Sequence, residues 1–384
     1  IAIKDLFSAS AKAILPKYFK ANALACGIKK SGKLDLALFL SGIPAKASCL
    51  FTTNKILAAP IKVSKEHLKK VRYFKGIIVN SGNANCFTGK AGVEDAQEVS
   101  KSLAGILEIK PQSILVNSTG IIGKRLPLSK ILNALPGLVA GLSEEGVHRA
   151  KKAIMTTDTY AKEITVKFNM GDKVITICGV AKGAGMIAPD MATMLAFIFT
   201  DAFITQDALD IALGKSVNNS FNCITVDGCM STNDSVMILA NGTAGNAMID
   251  SNENFDLFLN ALNTVCLELA KMIVKDAEGA TKFIQICVDK AKDFAQARKV
   301  ALCIANSNLL KCAVYGENPN FGRIVAAAGA SGVEVKEEDL KIKVSPLKKE
   351  EIYICVSVNR GKCCATVYTS DLTPKYIKIN AEYN

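Results

Sequence analysis

Apolar residues in this chain come in short blocks, and each block tends to be followed by a cluster of small polar residues and glycine. Residues 35–63 alternate apolar runs with turn signals and predict strands, with Phe51-Thr52-Thr53-Asn54 at a loop. Residues 75–80 predict a buried strand that runs into a tight polar loop over 81–89, where Asn and Gly tolerate positive φ. Residues 92–107 have helical spacing, with Val93, Ala96, Val99 and Leu103 on one face. A short strand at 113–116 ends in the polar stretch 117–123, and helices follow at 128–142 and 148–155. A strand at 174–180 leads to residues 182–193, and an apolar strand follows at 194–199. Beyond it the pattern predicts a helix at 206–218, a strand at 223–227 and a long amphipathic helix at 254–273, its stripe Phe255, Phe258, Leu259, Leu262 and Val265. A strand at 283–288 and a helix at 291–307 come next. The stretches IKVSP, EEIYICVSVN, CCATVYTSDL and PKYIKIN then predict successive strands. No internal repeat or low-complexity linker interrupts the order. Polar loops after apolar strands suggest one site assembled from strand ends.

Composition narrows the class. The 384 residues are 49% hydrophobic, enough for two or three domains or one large α/β body. No apolar run reaches the ~20 residues of a membrane span. The first residues lack the h-region of a secretory signal, and the missing initiator Met suggests a trimmed start. The 13 cysteines are scattered, with Cys363-Cys364 the one adjacent pair and no Cys-x-x-Cys, which argues against a zinc site or a disulfide framework. Reduced cysteines in a cytoplasm are the expectation. The formal charge of +12 is spread as Lys pairs, and Trp is absent, so no stacking platform for nucleic acid is expected. The two histidines, His67 and His148, sit in helix-like contexts away from any nucleophile-like turn. A nucleophile here needs a base other than His.

Residues 182–201 carry the sharpest chemistry. Lys182-Gly-Ala-Gly turns through Ala-Pro-Asp to Ala192-Thr193 and then enters an apolar strand. A Gly-rich turn against a buried strand can store backbone strain, and a Thr there can turn its hydroxyl on the preceding carbonyl. We read Ala192-Thr193 as a self-cleavage point with Thr193 as N-terminal nucleophile. The freed α-amine, with a reference pKa of about 8, would serve as base. On the residues alone, an ordinary loop before a strand fits as well. Thr119-Gly120 offers a hydroxyl and a backbone N–H for an oxyanion hole, and equally fits a turn glycine after a capping Thr. Lys182 can reach a carboxylate or carbonyl, or sit on the surface. Glu278 can bind an ammonium, or be a solvated acid. Gly316-to-Arg323 is rejected as a phosphate loop because it lacks a Gly-Lys-Ser/Thr ending and a following helix signal.

At this point the chain resembles a known family. KGAGMIAPDMATML over 182–195 is similar to the processing motif of the ornithine acetyltransferases, also called glutamate N-acetyltransferases. FTTN with AAP, VNSGNANCFTG, NSTGIIG, MTTDT, SFNCITVDG with STND, KDAEGATK, YGENPNFGRI and YIKINAEYN match in order across nearly the whole chain. The resemblance implies an α+β fold, two β-sheets sandwiched between helices, built from two interwoven fragments. These are an α fragment (1–192) and a β fragment (193–384), cut at Ala192-Thr193. It implies that Thr193 takes an acetyl group from N2-acetyl-L-ornithine and gives it to L-glutamate, in arginine biosynthesis. Some members also accept acetyl-CoA as donor; no bound cofactor and no metal is implied. Thr119 and Gly120 resemble the oxyanion hole, and Thr156, Lys182, Thr193, Glu278 and Asn380 resemble substrate-binding positions. The implied assembly is two long and two short chains in the cytoplasm, with no nucleic acid or membrane partner. Departures are a tail that stops before the family's final Thr or Ser contact, Phe321 for a commoner Trp and Cys229 for a commoner Asp. A self-processing aminopeptidase of related architecture would use the same Thr but release its acyl group to water. A non-enzymatic basic binding protein would leave the ordered motifs without a purpose.

Overall fold

The computed structural model describes residues 7–188, 194–251 and 253–382. Ala192 and Thr193 lie outside the described residues. The chain forms two compact units, and neither is a continuous stretch. The first contains the described residues up to Gly183, then 194–219 and 231–269; the second contains 184–188, 220–230 and 270–382.

In the first unit the elements run β1 (Phe7–Ser10), β2 (Phe19–Leu24), β3 (Leu36–Phe51), α1 (Ala59–Lys70), β4 (Phe74–Asn83), α2 (Gly89–Leu107), β5 (Ile114–Ile121), α3 (Leu128–Ala140), α4 (Val147–Ala153), β6 (Lys162–Met170), β7 (Lys173–Lys182), β8 (Leu195–Thr200), α5 (Gln206–Asn218), β9 (Ser235–Ala240) and most of α6 (Glu253–Lys275). They build one nine-stranded mixed sheet, ordered β1-β6-β7-β8-β9-β3-β4-β5, with β2 beside β3. β8 and β9 run parallel, as do β4 and β5, while β7 and β8 are antiparallel. Strands from both sides of position 192 therefore share one sheet: β7 precedes it and β8 follows. Phe19, Phe39, Phe197 and Phe199 meet ring to ring in the core. A second cluster lies around Leu38, Ile78, Val116 and Leu135, where α1 and α2 pack on β5. α6 packs on β7 at Gly179, where Val265 and Leu269 fill the space a side chain would take.

The second unit holds β10 (Phe283–Ala291), α7 (Phe294–Ala305), α8 (Asn308–Tyr315), α9 (Gly322–Gly329), β11 (Lys341–Val344), β12 (Glu351–Ser357), β13 (Cys363–Ser370) and α10 (Pro374–Glu382). Its four-stranded mixed sheet has the order β11-β12-β10-β13. α7 covers β10 and β13, closing a core of Ile286, Val300, Ile304, Ile354 and Val367. The fold is α+β with two mixed sheets, as expected.

Several elements differ from the sequence reading. Residues 36–51 form one strand, its register shifting between Leu40 and Ala45. Gly42 and Pro44 lie within that shift. Residues 59–63 begin helix α1, because Pro60 fits a first helical turn, where its missing N–H costs nothing. β6 and β9 were not anticipated. Residues 223–227 are no strand; a 3-10 turn over Phe221–Cys223 is followed by a single bridge from Ile224 to Tyr368. A helix, α9, does follow the loop before Gly322. The tail over 374–382 is helical, with Pro374 at its first turn. One helix, α6, has the length and hydropathy of a membrane span, and half of that window is buried inside the protein, as in a core helix.

Candidate active site

In the first unit the site is made by strand ends. β4 and β5 finish side by side, Ser81 opposite Thr119 and Gly82 opposite Gly120. Thr119 and Gly120 thus lie near the end of a parallel ladder that closes with Ile121 opposite Asn83, where a loop was expected. Gly120 has φ +134, and a Cβ there would lie 2.4 Å from the Asn83 backbone nitrogen, so only glycine fits. The asparagines around these ends act as braces. Asn233 donates from Nδ2 to the carbonyls of Ala84 (2.7 Å) and Ser118 (2.8 Å). Ser118 Oγ donates to Asn80 Oδ1 at 2.5 Å, and Asn83 Nδ2 reaches the carbonyls of Lys124 and Arg125. Three of the motifs, around 80–85, 117–120 and 231–234, are therefore locked together by buried side-chain amides.

Lys182 ends β7 and is 2% exposed. Its Nζ donates to Thr156 Oγ1 at 2.7 Å. Both groups turn about Asp158, whose side chain is fully buried. Asp158 Oδ1 accepts from Lys162 Nζ (2.5 Å) and from the Gly183 N–H (2.6 Å). Oδ2 accepts the Thr156 N–H at 2.9 Å and lies 3.9 Å from Lys182 Nζ. Burial alone would raise this carboxyl, but Lys182, Lys162 and the Gly183 N–H outweigh it and hold it well below the usual carboxylate range. Lys29 is pulled down to about 8, chiefly by burial, with the Asp35 carboxylate opposing and Lys182 adding to the fall. Its Nζ donates to the carbonyls of Leu34 (2.9 Å) and Met155 (2.8 Å).

Met194, the first described residue after the expected cleavage point, is held from both sides. Asp234 Oδ1 accepts its N–H at 3.0 Å, and its carbonyl accepts the Ser235 N–H at 3.2 Å. Asp234 is fully buried, and among the described residues its Oδ2 has no hydrogen-bond partner. Burial pushes this carboxyl well above its ordinary value.

The second unit holds Glu278 and Asn380. Asn380 Nδ2, on α10, donates to Glu278 Oε2 at 2.7 Å and to the Tyr376 carbonyl at 3.0 Å. Gly185 lies against the Glu278 carboxyl, and a Cβ there would come within 2.3 Å of it. Asp227 gathers the loop carrying Gly185: it accepts the N–H groups of Met186 (2.7 Å) and Ile187 (2.9 Å), and the Tyr376 hydroxyl at 3.0 Å. Burial, with Asp227 adding to it, raises the Tyr376 phenol far above its ordinary value. Lys311, 2% exposed, donates to the Val226 carbonyl and to Thr369 Oγ1 (3.1 Å), and burial lowers it to about 8.

Among the described residues no group of three or more His, Cys, Asp or Glu side chains is arranged to hold a metal ion. His67 is 5% exposed with Nδ1 2.8 Å from the Ile114 carbonyl, a core histidine. The resemblance placed Thr156 and Lys182 among the substrate-binding positions, and the structure joins these two by a hydrogen bond. Sequence reasoning missed Asp158, Lys162, Asn233, Asp234, Asp227 and Tyr376. The Asp158–Lys162 spacing of four is a weak signal, because residues 158–161 are not helical and i,i+4 neighbours are expected only on a helix.

The chain matches the ArgJ family over residues 20–348. The arginine biosynthesis bifunctional protein ArgJ of Caldanaerobacter subterraneus subsp. tengcongensis is 45% identical over 394 residues, covering 96% of this chain and 97% of that protein. The glutamate N-acetyltransferase of Methanocaldococcus jannaschii is 44% identical over 400 residues, covering 96% and 97%. A crystal structure of ornithine acetyltransferase complexed with ornithine from Mycobacterium tuberculosis is 35% identical, with a TM-score of 0.44, covering 48% of this chain and 98% of that one. The chain belongs to the ArgJ family and is an acetyltransferase of arginine biosynthesis.

Proposed function

We propose that the protein cuts itself between Ala192 and Thr193 and then moves an acetyl group from N2-acetyl-L-ornithine to L-glutamate through an acetyl ester on Thr193. The observation that carries this is the near-full-length match to relatives named ArgJ and glutamate N-acetyltransferase. In processing, Thr193 Oγ attacks the Ala192 carbonyl carbon, the amide nitrogen leaves as the Thr193 α-amine, and water hydrolyses the resulting ester. The α-amine is then the base that takes the hydroxyl proton.

In transfer, Thr193 Oγ attacks the acetyl carbonyl of acetylornithine and ornithine leaves as the amine. The α-amine of glutamate then attacks the ester and frees Thr193. Thr119 and the Gly120 N–H are assigned to the oxyanion. Supporting that, Gly120 occupies a backbone conformation and a space that exclude a side chain. Lys182 and Thr156 are assigned to the α-carboxylate shared by both amino acids. Glu278, with Asn380 on its carboxyl, is assigned to an ammonium. The word bifunctional in the relatives' names supports a second donor, for which we propose acetyl-CoA. The proposed assembly is two 1–192 and two 193–384 chains, in the cytoplasm, with no resident cofactor.

The test is direct. Wild-type protein on a denaturing gel should give two fragments, and Thr193→Ala one uncut, inactive chain. Donor without acceptor should add one acetyl group to the fragment that begins at Thr193. Cleavage persisting in the Ala variant would assign the cut to a protease, and transfer without an acetylated fragment would sink the covalent mechanism. Acetyl release to water in place of glutamate would favour a hydrolase.

A further inference from the structure

We infer that Asp158 is a positioning residue that fixes Lys182 and Thr156 in the geometry that receives the substrate's carboxylate. The inference rests on the proposed reading of Lys182 and Thr156 as substrate-binding residues. Asp158 holds each of them by its backbone surroundings as well as by charge. It accepts the N–H of Thr156 itself and the N–H of Gly183, the residue after Lys182. Thr156 Oγ1 in turn accepts from Lys182 Nζ at 2.7 Å. One carboxylate therefore ties the loop bearing the hydroxyl to the strand end bearing the ammonium.

The distances also divide the charge unevenly. Lys162 Nζ is 2.5 Å from Asp158 Oδ1, whereas Lys182 Nζ is 3.9 Å from Oδ2. Asp158 is thus closely matched by Lys162, and it stands farther from the Lys182 ammonium that it helps to orient. Lys29, whose Nζ is bonded to backbone carbonyls, adds a further cation within Coulombic reach of Lys182. Asp35, whose carboxylate opposes the fall at Lys29, accepts the N–H groups of Cys26, Ile28 and Lys29. Asp158 and Asp35 are thus two buried carboxylates set among these ammoniums, and Asp158 is the one that ties Thr156 to Lys182.

Asp158→Asn alone takes from the buried Lys162 the carboxylate 2.5 Å away and threatens the fold. The informative variant pairs Asp158→Asn with Lys162→Met, which removes one buried acid and one buried base together. Its folding is checked by circular dichroism, and steady-state transfer from acetylornithine to glutamate is then measured. Displacing a binding group by about 1 Å can cost about 10²-fold. We expect KM for acetylornithine to rise about tenfold or more, with kcat changed less. In a Lys182→Met, Thr156→Val background the pair substitution should add nothing further, because Asp158 acts through those two side chains. Asp158→Glu keeps the charge, lengthens the arm and should also raise KM in a folded protein. Wild-type KM in the folded pair variant or in Asp158→Glu would overturn the inference, as would an equal additional loss in the Lys182→Met, Thr156→Val background. If Lys182→Met alone leaves KM unchanged, the reading of Lys182 falls first and this inference with it.

Discussion

Two aspartates in the first unit are both buried, and they meet opposite conditions. Asp158 is met by two ammonium groups and two backbone N–H groups. Asp234 is met by the Met194 N–H, and its second oxygen has no partner among the described residues. The first carboxyl is held well below its ordinary range and the second is pushed well above it. Lys182 attracts both, and of the two it is Asp158 that lies within ion-pair distance of it. Burial penalises either charge, and it is overcome only where opposite charge and donors are close enough. One aspartate therefore serves as a fixed negative charge that orders cations. The other, its carboxyl pushed up by burial, accepts a hydrogen bond that orders a backbone.

The largest expected break in that comparison is Asp158→Asn by itself. It leaves the Lys162 ammonium, 0% exposed, with its closest counter-ion gone. Removing one partner of a buried pair costs about 3–5 kcal/mol. Urea denaturation should show a loss of that order, or no folded protein. A loss below about 1 kcal/mol, the range of surface pairs, would mean that Lys162 finds solvent or gives up its proton.

A second change sharpens the comparison by touching neither carboxylate. Thr119 is 3% exposed at the end of β5 and is assigned to the oxyanion. Thr119→Ala should lower kcat by about 10²–10³-fold, the usual loss for one oxyanion donor. KM and urea stability should hold near wild type, because that interaction strengthens only as charge develops. Asp158 variants should do the reverse, moving KM and stability more than kcat. A raised KM with unchanged kcat for Thr119→Ala would move Thr119 from the transition state to substrate binding.

The sequence made part of this site legible for physical reasons. Apolar blocks such as 75–80, 174–180 and 194–199 belong to strands β4, β7 and β8, whose burial is nearly continuous and so leaves a run. β6 alternates Ile164, Val166, Phe168 and Met170 with polar residues, a period-two signal that was there to use. β9, SVMILA, was obscured because it follows directly on a polar motif. In PKYIKIN the β-branched residues suggested a strand, but Pro374 starts a helix with no buried side chain. Nothing local identifies that helix; Tyr376 and Asn380 fix it through Asp227 and Glu278, which are distant in sequence. Asp158 and Asp234 were illegible for the same reason. An aspartate in a polar loop is ordinarily solvated, and only tertiary contacts reveal which one is buried with cations and which without.

The smallest and most diagnostic change is Asp234→Asn. The amide oxygen can keep the bond to the Met194 N–H, and the amide carries no charge to bury. The sign of its pH dependence separates the two aspartates. Asp158 has a lowered carboxyl, so its stabilising contribution is present above the unfolded value, about 3.9, and is lost as pH falls through the folded value. Asp234 has a raised carboxyl, so the folded chain keeps a proton that the unfolded chain has released. Its cost is absent below about 3.9 and grows as pH rises toward the folded value, because there the unfolded state binds fewer protons. The Asn variant should therefore match wild type in urea stability near pH 4 and become the more stable protein as pH rises toward neutrality. Fragment formation on a gel should continue, since the Met194 anchor remains. If the difference is flat across that range, Asp234 is not raised in the folded chain. If the variant instead loses stability with rising pH, Asp234 is ionised and matched like Asp158, and the two regions follow one rule.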